Sequence, residues 1–192
     1  MKKTIGYILN IDAENTDLNP LLSHRSISTL PFGGRYRLID FTLSNMVNAG
    51  VGHVGVVGSY KYSSLVDHLG TGKEWSLSRK TQDLSILAGS GAVRFNELVK
   101  ISTRDLSNNR AFIDRYDVEN VIIAAPNLVT SCDFKTAFDL HLEKSADITL
   151  IYKDVEPAHR FVDNDVFIDL DEDKVVGLNY KTEKAAPSSI IF

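Results

Sequence analysis

The residues best suited to chemistry cluster between His24 and Arg37. Phe32-Gly33-Gly34-Arg35 puts two glycines ahead of an apolar run with helical spacing. Glycine lets the backbone approach an anion closely, and a helix start adds free N–H groups and partial positive charge. Arg25, Arg35 and Arg37 fall within a dozen residues, and His24 precedes Arg25. Guanidinium forks grip phosphate through paired hydrogen bonds, so this spacing predicts a basic pocket for a phosphate-bearing ligand. A structural arrangement fits the same residues: Gly33-Gly34 as a tight turn, with Arg37 paired to Asp40 at i, i+3. The residues themselves leave both arrangements open.

Other constellations fall short of the chemistry their types invite. Asp163, Asp165, Asp169, Asp171 and Asp173 have the side chains of a calcium loop, but a loop starting at Asp169 would put Lys174 where glycine is needed and Tyr180 where glutamate is needed. A solvated turn is expected instead. Gly70-Thr71-Gly72 lacks the third glycine of a dinucleotide loop and does not immediately follow a strand. His24, His53, His68, His141 and His159 show neither close pairing nor cysteine partners, so no metal site is expected. Ser63-Ser64 reads as a helix cap rather than a nucleophile. Cys132 is the only cysteine, which rules out an internal disulfide and fits a buried thiol in a reducing compartment.

The elements that must position these residues follow from the hydrophobic pattern. The chain has 192 residues, 43% hydrophobic and 24% charged, enough for one good core. Its net charge of −4 argues against nucleic acid as a partner. Residues 4–11, 53–58, 119–125 and 147–153 are short runs rich in Ile and Val and apolar on both faces, as buried parallel strands are. Helices are expected over 35–49, 63–69 and 133–144, the last opened by Asp133 as N-cap. Alternating strands and helices imply an α/β, doubly wound, mostly parallel sheet. Strand-like residues 161–169 and 174–180, joined by Leu170-Asp171-Glu172-Asp173, predict an antiparallel hairpin appended to that sheet. Met1-Lys2-Lys3 mimics a signal peptide, but Asn10 and Asp12 interrupt the apolar stretch, and no run approaches the roughly 18 apolar residues of a membrane span. A cytoplasmic protein without a membrane partner is therefore expected. The final Ile190-Ile191-Phe192 looks like a cut through a strand, so the chain is expected to be part of a longer parent.

The run from Pro31-Phe32-Gly33-Gly34-Arg35-Tyr36-Arg37-Leu38-Ile39-Asp40-Phe41 through Thr42-Leu43-Ser44-Asn45-Met46-Val47-Asn48-Ala49-Gly50 resembles the signature of the glucose-1-phosphate adenylyltransferase (ADP-glucose pyrophosphorylase) family. Val54-Gly55-Val56, Tyr60-Lys61, His68-Leu69, Trp75 and Arg160-Phe161 continue the likeness in the family's order. The resemblance implies a Rossmann-like nucleotidyltransferase sheet over residues 1–192, cut before the sheet ends. In the family a C-terminal left-handed β-helix domain follows, and the resemblance implies that this chain ends before it. The family joins ATP and glucose 1-phosphate to give ADP-glucose and pyrophosphate, using magnesium and preorganised cations to absorb developing charge.

The positions that carry this chemistry depart from the family. Its glycine loop, L-A-G-G-x-G-x-R-L, is matched by Asn10-Ile11-Asp12-Ala13-Glu14-Asn15-Thr16-Asp17-Leu18. There Asp12, Glu14 and Asp17 would repel a triphosphate. Ile27 replaces the lysine of R-A-K-P, Ser59 the nucleotide-facing glutamine, and Asn127 the magnesium-holding aspartate. Asparagine can ligate a metal through its carbonyl but neutralises none of its charge. Of the family's contacts to substrate, Lys181 and the Gly33-Gly34 turn remain. The family's effector site is matched by His24, Arg25, Arg35 and Arg37. The departures fit the GlgD-type branch of glycogen biosynthesis proteins, catalytically weak companions of an active subunit. The resemblance thus implies a regulatory or structural subunit with no catalytic residues and no firm cofactor, Mg2+ accompanying only residual activity. Its implied partners are a catalytic adenylyltransferase subunit, in a hetero-oligomer, and a phosphorylated effector. The alternative is an active sugar-phosphate nucleotidyltransferase with altered substrate or metal use.

Overall fold

A computed structural model describes residues 3–9, 18–58, 61–89, 103–126, 128–154, 166–180 and 189–191. The chain divides into two compact units, Met1–Lys135 and Thr136–Phe192. The first contains strand β1 (Thr4–Leu9), helix α1 (Asn19–Leu22), a hairpin of β2 (Pro31–Phe32) and β3 (Tyr36–Arg37), and helix α2 (Leu38–Asn48). There follow β4 (His53–Gly58), α3 (Ser63–Leu69), β5 (Ser78–Arg79), β6 (Gln82–Ala88), α4 (Thr103–Asn108), α5 (Arg110–Asp114) and β7 (Asn120–Ala124). Helix α6 (Phe134–Glu143) spans the division, and β8 (Tyr152–Asp154), β9 (Val166–Asp171), β10 (Lys174–Tyr180) and β11 (Ser189–Ile191) belong to the second unit.

The first unit is built on a five-stranded sheet in the order β5-β6-β4-β1-β7. β1 pairs in parallel with β4 and β7, β4 pairs in parallel with β6, and only the short edge strand β5 runs antiparallel. The expected α/β, mostly parallel architecture is therefore present. Every residue of β1 is buried, as its apolar run requires of a central strand. On one face Ile8, Val54 and Val56 pack with Ile39, Leu43 and Met46 of α2 and Leu65 and Leu69 of α3. On the other, Ile5, Tyr7, Leu9 and Val57 pack with Phe112 of α5. Burying each such side chain contributes about 1.5–3 kcal/mol before entropy is charged against it. At Gly55 a Cβ would stand 2.6 Å from Leu87 Cδ1 and 2.9 Å from Phe112 Cε1, so glycine is what lets α5 reach the sheet.

Several elements differ from the sequence pattern. α2 starts at Leu38 rather than residue 35, because Gly33 (φ 58°) and Gly34 (φ 93°) close the β2–β3 hairpin first. It stops where expected: Gly50 (φ 85°) lets the Val51 N–H donate back to Met46 O, the six-to-one bond of a helix terminator. β6 carries no clear strand pattern in its sequence, since Gln82, Asp83 and Ser85 dilute its apolar character. Residues 147–153 do not form a strand of the parallel sheet. Only Tyr152–Asp154 is extended, it pairs antiparallel with β11, and Ile148 is 78% exposed. Apolar composition without burial misled there. The antiparallel hairpin is present as β9 and β10, turning through Glu172 at φ 52°, but it belongs to a four-stranded sheet β10-β9-β11-β8 of the second unit. Residues 161–165 lie outside the described residues. Asp133 does cap α6, its Oδ1 accepting from Lys135 N–H at 3.0 Å. Among the described residues no helix is long and apolar enough to cross a membrane.

Candidate functional site

The start of α2 is fixed by a carboxylate. Asp40, buried at 8% exposure, accepts the Arg37 backbone N–H on Oδ2 at 2.9 Å, and its Oδ1 lies 2.5 Å from His68 Nε2 on α3. Arg37 and Asp40 therefore do meet at i, i+3, but through the backbone amide. The Arg37 guanidinium instead donates to Ser64 O, 3.0 Å away, at the start of α3. Thr29 Oγ1 and Ser64 Oγ are 2.9 Å apart, and Lys61 Nζ donates to Leu22 O at 2.8 Å. Segment 22–37 is thus tied by hydrogen bonds to Lys61, just before α3, and to Ser64 in its first turn.

A cavity of about 200 Å3 opens beside this segment, lined by Pro20, Leu21, Ser23, His24, Arg25, Leu30 and Pro31. It brings His24 and Arg25 together. Arg35 and Arg37 do not line it: the Arg35 guanidinium lies 5.1 Å from the centre of the Tyr36 ring, and Arg37 is held at Ser64. Gly33 and Gly34 stand at the hairpin tip, with open space where a Cβ would be, four residues before the helix start. Ile27 begins a short 3-10 turn, Ile27–Thr29, whose Ser28 and Thr29 are buried. Ser26 Oγ and Ser28 Oγ lie 2.7 Å apart within it. Asp12, Glu14, Asp17, Ser59, Asn127 and Lys181 lie outside the described residues. Among the described residues no group of three His, Cys, Asp or Glu side chains is arranged to hold a metal ion.

Two polar features had no signal in the sequence, because each depends on what the fold places around it. At the start of β4 and β6, the Tyr116 hydroxyl lies 2.8 and 2.7 Å from the two Asp83 oxygens and shares its one proton between them, Ser85 Oγ donates to Asp83 Oδ2 at 3.2 Å, and Asp83 Oδ1 lies 2.5 Å from His53 Nδ1. His53 and Tyr116 stack with ring centres 4.0 Å apart. Burial pushes the Asp83 carboxyl up, but hydrogen bonds from His53, Tyr116 and Ser85 outweigh it and hold the group below the usual range. On β1, the Tyr7 side chain is wholly buried and its hydroxyl has no hydrogen-bond partner among the described residues. Burial, with a smaller contribution from the Asp105 charge, pushes its pKa up to about 12.

Comparison with known proteins decides the family. Residues 14–186 match the model of the nucleotidyl transferase domain. The chain belongs to the nucleotidyl transferase family. It is 37% identical over 134 residues to a glycogen biosynthesis protein GlgD of Geobacillus stearothermophilus, covering 70% of this chain and 39% of that protein. It is 31% identical over 186 residues to a glucose-1-phosphate adenylyltransferase of Clostridium novyi, covering 96% and 48%. The chain thus spans less than half the length of these curated relatives. A crystal structure of a Bacillus anthracis protein described as a glucose-1-phosphate thymidylyltransferase superposes with a TM-score of 0.74 at 14% identity, over 98% of this chain and 68% of that one. That likeness concerns the fold.

In a parallel sheet of the nucleotidyl transferase kind, ligands lie beyond the C-terminal ends of the strands. At that end Thr42 Oγ1 of α2 donates to Ala125 O at 3.1 Å, and Asn45 Nδ2 donates to Thr130 O at 2.8 Å. α2 therefore holds the backbone on both sides of position 127. Asn109 Nδ2 donates to Ala88 O, the last carbonyl of β6, at 2.8 Å. These hydrogen bonds anchor the chain at the C-terminal ends of β6 and β7 in the nucleotidyl transferase sheet.

Proposed function

We propose that this chain is a regulatory or structural subunit of a glucose-1-phosphate adenylyltransferase serving glycogen biosynthesis, and that its own active site does no catalysis. The observation that carries this reading is the replacement of the family's glycine loop by Asn10-Ile11-Asp12-Ala13-Glu14-Asn15-Thr16-Asp17-Leu18 on a sheet that is otherwise kept. Three carboxylates there oppose a triphosphate, where the fold needs cations and close backbone approach. Ile27 and Asn127 remove two further charges that the family uses. Losing one preorganised charge-stabilising group lowers the rate about 10²- to 10³-fold, and such losses accumulate even though they are not additive. The similarity to proteins named GlgD supports the same reading.

The partner in this reading is the catalytic adenylyltransferase subunit, in a cytoplasmic hetero-oligomer. A phosphorylated effector is the second ligand, held at His24 and Arg25 in the cavity, with Arg35 and Arg37 adding positive potential nearby. The test is to follow pyrophosphate release by the catalytic subunit with and without this chain. A changed rate or effector response in the mixture supports the reading; turnover by this chain alone near that of the catalytic subunit overturns it.

A second reading, an active sugar-phosphate nucleotidyltransferase with altered substrate or metal use, draws on the adenylyltransferases of Clostridium and Thermotoga, which are 31–36% identical to this chain. It would rest on Lys181 and a loop acid, with Mg2+ present, and it predicts turnover without a partner.

A further inference from the structure

We infer that Asn109–Tyr116 is a strap laid along β6 and latched at its Tyr116 end by the His53–Asp83 pair, so that loss of the proton from His53 loosens it. The device belongs to the sheet and is independent of the function proposed above. At one end of the strap Asn109 Nδ2 donates to Ala88 O, where β6 finishes; at the other the Tyr116 hydroxyl reaches Asp83, one residue after β6 begins. Between them Phe112 is the only buried residue of the strap, edge-on to Tyr7 and Tyr116 with ring centres 5.7 and 5.5 Å away. Helix α5 has five residues, too few to stay helical without tertiary contacts. The order of the strap therefore depends on its two ends and one phenylalanine, the make-up of a segment that opens locally, below the free energy of global unfolding.

His53 and Asp83 are register partners on β4 and β6, and the imidazole is stacked on the Tyr116 ring. Imidazole is the side chain that changes charge between about pH 5 and 8. Asp83 stays a carboxylate across that range, since its hydrogen bonds hold it below the usual carboxylate value. A protonated His53 gives Asp83 an opposite charge and gives the Tyr116 ring a cation on its face; a neutral His53 gives neither. The surrounding charges do not take its place. Arg115, 4.0 Å from Asp83 Oδ2 and in contact with Tyr116, keeps its charge throughout and so makes nothing respond to pH. Asp114 pairs with Arg110 at 3.3 Å, and Asp117 and Glu119 turn to Lys3 at 3.1 and 2.6 Å. β5 sets uncharged Ser78 opposite Asp83 and Arg79 opposite Gln82. Protonation of His53 thus favours the latched strap: its contribution is present at the acid end of this range and is lost as pH rises. Because Asn109 grips the end of β6 nearest the crevice, a loosened strap frees that end as well.

Hydrogen exchange of the purified chain tests this, read on peptides covering residues 109–116 at about pH 5.5 and about pH 8 and corrected for the intrinsic exchange rate at each. Protection of the strap amides is expected to fall about three- to fivefold between the two, the worth of a partly exposed ion pair, while that of β1 holds steady. His53→Gln, uncharged at every pH, is expected to show the lower protection at both, and Asp83→Asn the same. If Asp83→Asn fails to fold, the wild-type pH profile and His53→Gln decide the matter. Equal strap protection at the two pH values in the wild type overturns the latch, as does an unaltered pH dependence in His53→Gln. A fall shared equally by the strap and β1 overturns it too, because the effect would then be global.

Discussion

Asp40 and His68 join α2 to α3: the carboxylate that receives the Arg37 amide at the head of one helix also meets the imidazole near the end of the other. With 12% and 18% of their side chains accessible, neither group has much water to replace a lost partner. Asp40→Ala removes a helix cap and a charge-assisted hydrogen bond together and is expected to lower stability by about 2 kcal/mol. Urea unfolding measures it, and a change below a few tenths of a kcal/mol would contradict this role.

Asp83 makes stability depend on acid. Its folded pKa lies below that of an unfolded aspartate, so its contribution is present above about pH 4 and is lost as pH falls through the folded value. Asp83→Asn should flatten that part of the stability profile, read as urea midpoints across the acid range. A variant with the wild-type slope would remove Asp83 from the account.

Tyr7 has the opposite sign. Its folded pKa of about 12 exceeds that of an unfolded tyrosine, so its contribution is whole below about pH 10 and disappears between about pH 10 and 12. The buried hydroxyl also lacks a partner among the described residues. Tyr7→Phe is expected to raise stability at neutral pH by about 1 kcal/mol, by removing an unsatisfied polar group without changing the shape of the core. Thermal unfolding at pH 7 and pH 11 checks both parts.

Gly55→Ala would place a methyl group against Leu87 and Phe112 in a closed core. Overpacking of this kind destabilises by about 1–3 kcal/mol. The same substitution at Gly33 meets no neighbour, but its φ of 58° is strained for alanine, so a smaller loss is expected there. Comparing the two by denaturation separates crowding from backbone strain.

Much of this architecture was legible in the residues. β1 and β4 announced themselves because central parallel strands are apolar on both faces, and Ile39, Leu43 and Met46 marked the buried stripe of α2 through their spacing. β6 was not legible, since its Asp83 is satisfied by His53 and Tyr116, far away in sequence, with Ser85 bonded to Asp83 in turn, and residues 147–153 had the composition of a buried strand without its surroundings. Three arginines close in sequence were not close in function: a two-glycine turn sends Arg35 to Tyr36, α3 takes Arg37, and only Arg25 joins His24 at the cavity. Spacing along the chain fixes what is near in a helix, and a hairpin breaks that rule.

The central claim is that a nucleotidyl transferase scaffold has lost its grip on the triphosphate. Calorimetric titration of the purified chain with ATP, in the presence and absence of magnesium, tests it most directly. No saturable heat in either condition is the expected result; tight binding that requires magnesium would contradict it.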